Sequence, residues 1–389
     1  MKILLPLLFA FTVCGMASCG ENKGVPSTGK TGGTEKVTAA EWGARADSGS
    51  RALLRSFWDP EMYYFWTNNH GNKEFQYWPQ AHALDVLVDA YERSNDDFYR
   101  EYFDLWFSGV WQLNNSRHHK GWYNNFFDDM EWIALALLRT YKITGEEKYK
   151  EATLELWEYI KEGWNDHAGG GIAWERYDHI WSKNACSNGP ASILASRLYR
   201  EFDNEEDKEW ALKIYEWEYR KLYHSTTGAV DDNINGNTGQ ITDWKFSYNQ
   251  GTFVGAAVEL YGITGEQRYL NNAIFAADYT LTELINKEKN ILRKVGDGDG
   301  GLFNGIFIRY FTKLIQVEDL EEATRKRYLQ FMQHNAETLW TKGKSKEHLF
   351  SPDWSQSPDP GYETGLTEHT SGCMLLEAMS VLQAVEELE

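Results

Sequence analysis

Cysteine is scarce in this chain, and that excludes a disulfide-built fold. Four cysteines in 389 residues cannot form a dense framework, and no CxxC pair or His/Cys cluster offers zinc-ligand spacing. Two of the four, Cys14 and Cys19, sit near the N-terminus; Cys186 and Cys373 read as free, buried thiols, with nothing compelling a bridge. Basic charge is also short. Lys plus Arg number 39 against 58 Asp plus Glu, a formal net charge of −19, which repels phosphates and excludes nucleic acid as a partner. Beyond the first residues no run is apolar enough to cross a bilayer, and the period-two alternation of strands is almost missing.

The N-terminus carries its own signals. Lys2 precedes an apolar run from Ile3 to Val13, the length of a signal-peptide core. Met16-Ala17-Ser18-Cys19 then resembles a bacterial lipobox, which makes 1–18 a lipoprotein signal and Cys19 the lipidated first residue of the mature chain. Residues 19–36, rich in Gly, Thr, Ser and Lys, read as a flexible tether. One acylated cysteine would give a membrane anchor without a transmembrane helix. A single domain is expected over 37–389, a monomer at the cell surface or on a periplasmic face.

Aromatics are abundant: 17 Trp, 22 Tyr and 19 Phe, many beside polar residues. Their faces suit the C–H surfaces of sugar rings as well as core packing.

Helical periodicity fills the rest. The phrase YKITGE at Tyr141 recurs as YGITGE at Tyr261, with looser copies at Tyr91, Tyr199 and Tyr310. Each ends an apolar helix, makes a short turn and starts a charged amphipathic helix, with Thr144 and Thr264 supplying capping chemistry. Counting on this basis predicts twelve helices in six pairs. Outer members fall near 39–55, 96–112, 147–162, 205–222, 266–285 and 321–341. Inner members, richer in Ala, Gly and Leu, fall near 76–93, 128–143, 187–201, 246–262, 301–315 and 369–387. Inner-to-outer connections are short and outer-to-inner ones long, so a closed ring would gather the long loops on one face. The expected fold is therefore all-α, an (α/α)6 barrel with its site at the N-terminal ends of the inner helices; an open helical solenoid is the rival.

The sharpest local feature is NNFFDDMEW, Asn124 to Trp132, where Asp128 and Asp129 open an inner helix. Acids favour a helix first turn for capping and dipole reasons alone. Their place on the long-loop face, beside Trp122, Tyr123, Phe126, Phe127 and Trp132, supports chemistry instead. Two adjacent carboxylates can flank one glycosidic bond at roughly the 5 Å separation of retaining hydrolysis. Each raises the other's pKa, as a proton donor requires; spacing does not say which is which.

Four segments in order resemble glycoside hydrolase family 76, from about residue 40 to the end: FDDMEW at 127–132, KNACSNG at 183–189, WKFSYNQG at 244–251 and GIFIRY at 305–310. The resemblance implies an (α/α)6 barrel that cuts α-1,6-mannan internally with retention, Asp128 as nucleophile and Asp129 as general acid/base. It also implies that Asp232, in GAVDDNI at 228–234, reaches the cleft. Asn184, Asn188, Tyr248, Asn249 and Gln250 both donate and accept hydrogen bonds, as sugar hydroxyls require; capping or loop bonding is the plainer role for each. Trp78, His82 and Trp132 are candidates for the mouth, and Arg309 is expected to pair with a carboxylate. The GDGDGG segment at 296–301 lacks the further ligands of a calcium loop, so no metal is expected, and neither the chemistry nor the resemblance needs a cofactor. Transglycosylation on the same barrel, or a surface glycan-binding lipoprotein without turnover, are the competing functions.

Overall fold

The structure, a computed structural model, describes residues 37–388. The expected signal segment and tether, with Cys19, lie outside the described residues. Within them the chain forms α1 (Ala39–Phe57), α2 (Tyr77–Ser94), α3 (Asp97–His118), α4 (Phe127–Thr144), α5 (Glu147–Lys161) and α6 (Ala185–Phe202). It continues through α7 (Glu205–Lys221), α8 (Ser247–Thr264), α9 (Gln267–Glu283), α10 (Gly300–Ile315), α11 (Glu322–Lys342) and α12 (Leu366–Leu388). All twelve expected helices are present. The largest boundary difference is at α3, which continues past residue 112 to His118.

The even-numbered helices form the inner ring. Each packs on the next, from α2 through α4, α6, α8 and α10 to α12, and α12 returns to α2. That last contact closes the barrel and rules out the solenoid. Outer helices α3, α5, α7 and α9 pack on the inner helix before them, while α1 lies against α12. Small residues let the inner helices approach. A Cβ on Gly251 of α8 would sit 2.6 Å from the Cα of Phe307 on α10, and one on Gly305 of α10 would sit 2.7 Å from the Cα of Ser371 on α12.

The repeated phrase has a structural meaning. α2, α4, α6 and α8 each end in a left-handed residue, namely Asn95, Gly145, Asp203 and Gly265. The N–H of that residue donates to the carbonyl of Tyr91, Tyr141, Tyr199 or Tyr261, the aromatic that opens each copy. This αL termination satisfies a carbonyl at the helix end and turns the chain at once into the next helix. Thr144 and Thr264 then accept from the N–H of Glu146 and Glu266. The copy at Tyr310 differs: α10 ends with right-handed Gln316, and the Arg325 guanidinium binds the carbonyls of Ile315, Val317, Glu318 and Leu320 instead.

The long connections carry small antiparallel sheets. β1 (Trp58–Asp59) pairs with β2 (Tyr64–Phe65); β3 (Ser182–Asn184), β4 (Asn233–Asn235) and β5 (Ile241–Thr242) form a three-stranded sheet; β6 (Ile285–Asn286) pairs with β7 (Ile291–Leu292). Strands of two or three residues are too short to show alternation, so sequence periodicity misses them. The central sheet joins the α5–α6 and α7–α8 connections through Lys183 opposite Ile234, tying two long loops into one wall.

Candidate active site

Asp128 and Asp129 occupy the first turn of α4. Neither caps the helix: the N-cap position is Phe126, which makes no side-chain cap bond. The turn is fixed from outside, by Asn124 Oδ1 accepting from the Phe126 N–H at 3.0 Å and by the Phe127 N–H donating to the Trp174 carbonyl at 3.0 Å. Both acids are thereby released toward a cavity of about 350 Å³.

Its wall is largely aromatic. Trp78 comes from α2, Phe126 and Trp132 from α4 and the residue before it, Trp174 from the α5–α6 connection, Tyr248 from α8 and Phe303 from α10. Asn184, Cys186 and Asp299 supply the remaining polar groups. Trp78 Nε1 donates to Asp299 Oδ1 at 3.2 Å, which fixes the indole across the mouth.

The acid pair is electrostatically unequal. Burial raises the Asp128 carboxyl to about 7, against which the Cys186 thiol, 3.2 Å from Oδ2, favours the anion. Asp129 is pushed well above its usual range by burial and by the charges of Asp128 and Asp299. No donor to Asp129 is present among the described residues, so only Asp128 has help in holding a charge.

Of the sequence candidates, Trp78, Trp132, Asn184 and Tyr248 line the cavity with the two acids. Asp232 stands just behind the wall, accepting from Tyr248 Oη at 3.3 Å, Asn249 Nδ2 at 3.2 Å and Asn233 Nδ2 at 2.9 Å. Asn249 is fully buried, with Oδ1 unpartnered.

Three candidates do other work. Asn188 is fully buried; it accepts from the Ile172 N–H at 2.8 Å and donates to the carbonyls of Ile172 and Asn184. Gln250 accepts from the Val230 N–H at 3.1 Å and donates to the Val230 carbonyl at 3.0 Å. Both amides satisfy buried loop backbone, and neither side chain, fully buried as it is, lines the cavity. His82 packs against Trp132 and Trp78, with ring centroids 4.8 and 5.5 Å away, and does not line the cavity. Burial lowers its pKa to about 3, so the ring is neutral.

Phe303, Trp174, Cys186 and Asp299 were not singled out as ligands from sequence. Phe303 and Cys186 lie in the first turns of α10 and α6, the position that pointed to Asp128, so the same rule could have found them. Trp174 sits mid-loop and carries no such signal. Asp299 belongs to the GDGDGG segment, where Lys294 pairs with Asp297 at 2.8 Å; among the described residues no group of His, Cys, Asp or Glu gathers as a metal site.

A second cavity of about 330 Å³ is lined by residues from the C-terminal halves of the inner helices. Its charges bind one another: Arg139 bonds Asp85, Asp89 and Glu92, Arg93 bonds Glu377, and Arg309 bonds Asp89 at 2.8 Å. Arg309 is thus a carboxylate partner, as its depth in the helix implied.

A closed (α/α)6 barrel whose long-loop face holds two adjacent carboxyls in an aromatic cavity defines a glycoside hydrolase. Residues 41–388 match glycosyl hydrolase family 76, and the chain belongs to that family. It is similar in structure to the GH76A α-1,6-mannanase of Salegentibacter sp. HEL1_6, with a TM-score of 0.83 and 42% identity over 88% of this chain and 99% of that one. An inactive variant of that enzyme, with two aspartates replaced by asparagine, forms a complex with α-1,6-mannotriose; it is 41% identical to this chain at the same coverage and TM-score. Among curated proteins, a mannan endo-1,6-alpha-mannosidase of Saccharomyces cerevisiae is 31% identical over 115 residues, a match spanning 26% of this chain and 24% of the yeast protein.

Proposed function

We propose that this chain hydrolyses internal α-1,6-mannosidic bonds of mannan with retention, Asp128 acting as nucleophile and Asp129 as general acid/base. The observation that carries the reading is the asymmetry of the pair: the Cys186 thiol stands 3.2 Å from Asp128 Oδ2 as a donor, and no donor reaches Asp129 among the described residues, while burial raises both carboxyls. In the first step Asp128 attacks the anomeric carbon as Asp129 passes its proton to the departing glycosidic oxygen. Asp129, now charged, takes a proton from water, which attacks the glycosyl ester and frees Asp128. The aromatic wall offers faces on which the sugar rings stack. Likeness to the Salegentibacter mannanase over nearly its whole length supports α-1,6-mannan as substrate.

The test is product analysis of residues 37–389 incubated with unbranched α-1,6-mannan. A ladder of short oligosaccharides early in the reaction, absent from Asp128→Asn, is the expected result. Mannose alone as the first product would move the enzyme to chain ends, and binding without cleavage would make it a glycan-binding protein.

Residues 1–18 are proposed as a lipoprotein signal and Cys19 as the lipidated residue, on the strength of the apolar run and the Met16–Cys19 segment. Incorporation of a labelled fatty acid that is lost in Cys19→Ala checks this, and protease accessibility on intact cells places the barrel on the surface or the periplasmic face. The barrel is further proposed to act as a monomer, which sedimentation measures directly.

A further inference from the structure

The aromatic wall continues beyond the cavity. Tyr248 and Phe303, both lining it, stack with ring centroids 3.9 Å apart. Phe246 packs on Phe303 at 5.3 Å, and Trp244 meets Phe246 edge-on at 6.0 Å. Tyr248, Phe303 and Phe246 are half-buried, whereas Trp244 is 62% exposed. The series therefore runs from the reacting acids to an open indole at the protein surface.

A lone exposed aromatic needs no explanation, but this one has an unusual mounting. It lies two residues beyond the end of β5, and the residues beside it are pinned. Lys245 Nζ donates to the Asp243 carbonyl at 2.6 Å and to the Asp231 carboxylate, while Arg293 donates to the Lys245 carbonyl at 3.0 Å. Asp231 is itself buried and bonded to His224 at 2.7 Å. The backbone under the indole is thus anchored on both sides although the ring is left in water. A backbone already held in place loses little conformational freedom when a ligand stacks on the ring it carries.

We infer that Trp244 forms a distal sugar subsite, stacking on a hexose ring of the chain that leaves the catalytic cavity past Phe303 and Phe246. The inference rests on the mannan reading above and extends it from the bond that is cut to the length of polymer that is gripped. The occupant is a neutral polysaccharide because the surface offers an aromatic face continuous with the cavity; C–H groups of a pyranose pack on such a face. A subsite this far from the acids binds ground state and transition state alike, so it acts on KM rather than kcat.

The experiment compares kcat/KM on unbranched α-1,6-mannan with kcat/KM on α-1,6-mannotriose for the full chain, Trp244→Ala and Trp244→Phe. In Trp244→Ala the polymer-to-trisaccharide ratio falls about tenfold, the size of a lost aromatic anchor, through a raised KM on polymer and with an unaltered thermal midpoint. Trp244→Phe recovers part of the ratio. A ratio within about twofold of wild type, or equal losses on both substrates, overturns the subsite while leaving the mannan reading intact. A wild-type chain inert on both substrates sinks the mannan reading and the subsite with it.

Discussion

The Cys186 thiol stands 3.2 Å from Asp128 Oδ2 and is the side-chain donor that this carboxylate receives. Cys186 is itself held protonated, its pKa pushed well up by burial and by the charge of Asp128, so it donates and does not compete as a nucleophile. A donor to the charged form lowers the pKa of the acid it serves. Removing it in Cys186→Ala therefore raises the Asp128 pKa above its value of about 7, and the acid limb of kcat/KM moves to higher pH by about half a pH unit, the scale of one weak neutral hydrogen bond. Cys186→Ser keeps a donor and keeps the limb near its wild-type position. A limb that moves equally in both variants would dismiss the thiol as a donor.

The two aspartates separate when the leaving group is varied. With a natural mannosyl leaving group, Asp129→Asn loses a general acid, a term of roughly 10²–10⁴ in rate. An activated aryl leaving group departs without a proton, so the first step survives in Asp129→Asn and the enzyme stalls at the glycosyl ester, visible as a burst. Asp128→Asn has no nucleophile and gives neither turnover nor burst on either substrate. Bursts in Asp128→Asn, or equal small losses in both variants, would reverse or refute the assignment.

Much of this arrangement is legible before any coordinates. Twelve helices follow from apolar periodicity, because buried inner helices and amphipathic outer ones impose different compositions. The Tyr–Gly spacing around Tyr141 and Tyr261 marks helix ends because a carbonyl and a left-handed residue must meet there. Asp128 and Asp129 stand out because they begin a helix on the long-loop face. What stays hidden depends on tertiary placement. Asn188 and Gln250 have the chemistry of sugar ligands, but they face the backbone of Ile172 and Val230, and no local pattern distinguishes the two uses. Trp174 reaches the cavity from the middle of a connection, where periodicity carries no information.

Asn188 and Gln250 give a stability prediction in place of a binding one. Gln250→Ala leaves the Val230 N–H and carbonyl buried without partners, and Asn188→Ala does the same at Ile172. Each orphaned polar group costs about 1–3 kcal/mol, so urea midpoints fall clearly in both variants. Loss of activity follows loss of folded protein, with KM close to wild type on the folded fraction. A several-fold rise in KM with an unchanged urea midpoint would restore the sugar-contact role.

Glu131 shapes how stability depends on pH. It sits within α4, fully buried, with both carboxyl oxygens unpartnered, and burial followed by the charges of Asp128, Glu218 and Asp129 raises its pKa well above 4.5. Glu218 on α7 is equally buried and unpartnered, and burial raises its pKa too. A carboxyl of this kind holds its proton in the folded chain at a pH where the unfolded chain has lost it. The folded state then binds more protons, and stability must fall as pH rises. The contribution is complete below about pH 4.5, and it drains away as pH climbs toward the folded-state pKa. Gln cannot ionise, so Glu131→Gln removes this component and flattens the decline of the thermal midpoint from mildly acidic to alkaline pH. Asp128, Asp129 and Glu218 remain and keep part of the slope. An identical slope in wild type and Glu131→Gln would mean that Glu131 ionises in the fold as freely as in the unfolded chain, and that a counter-charge or bound water reaches it.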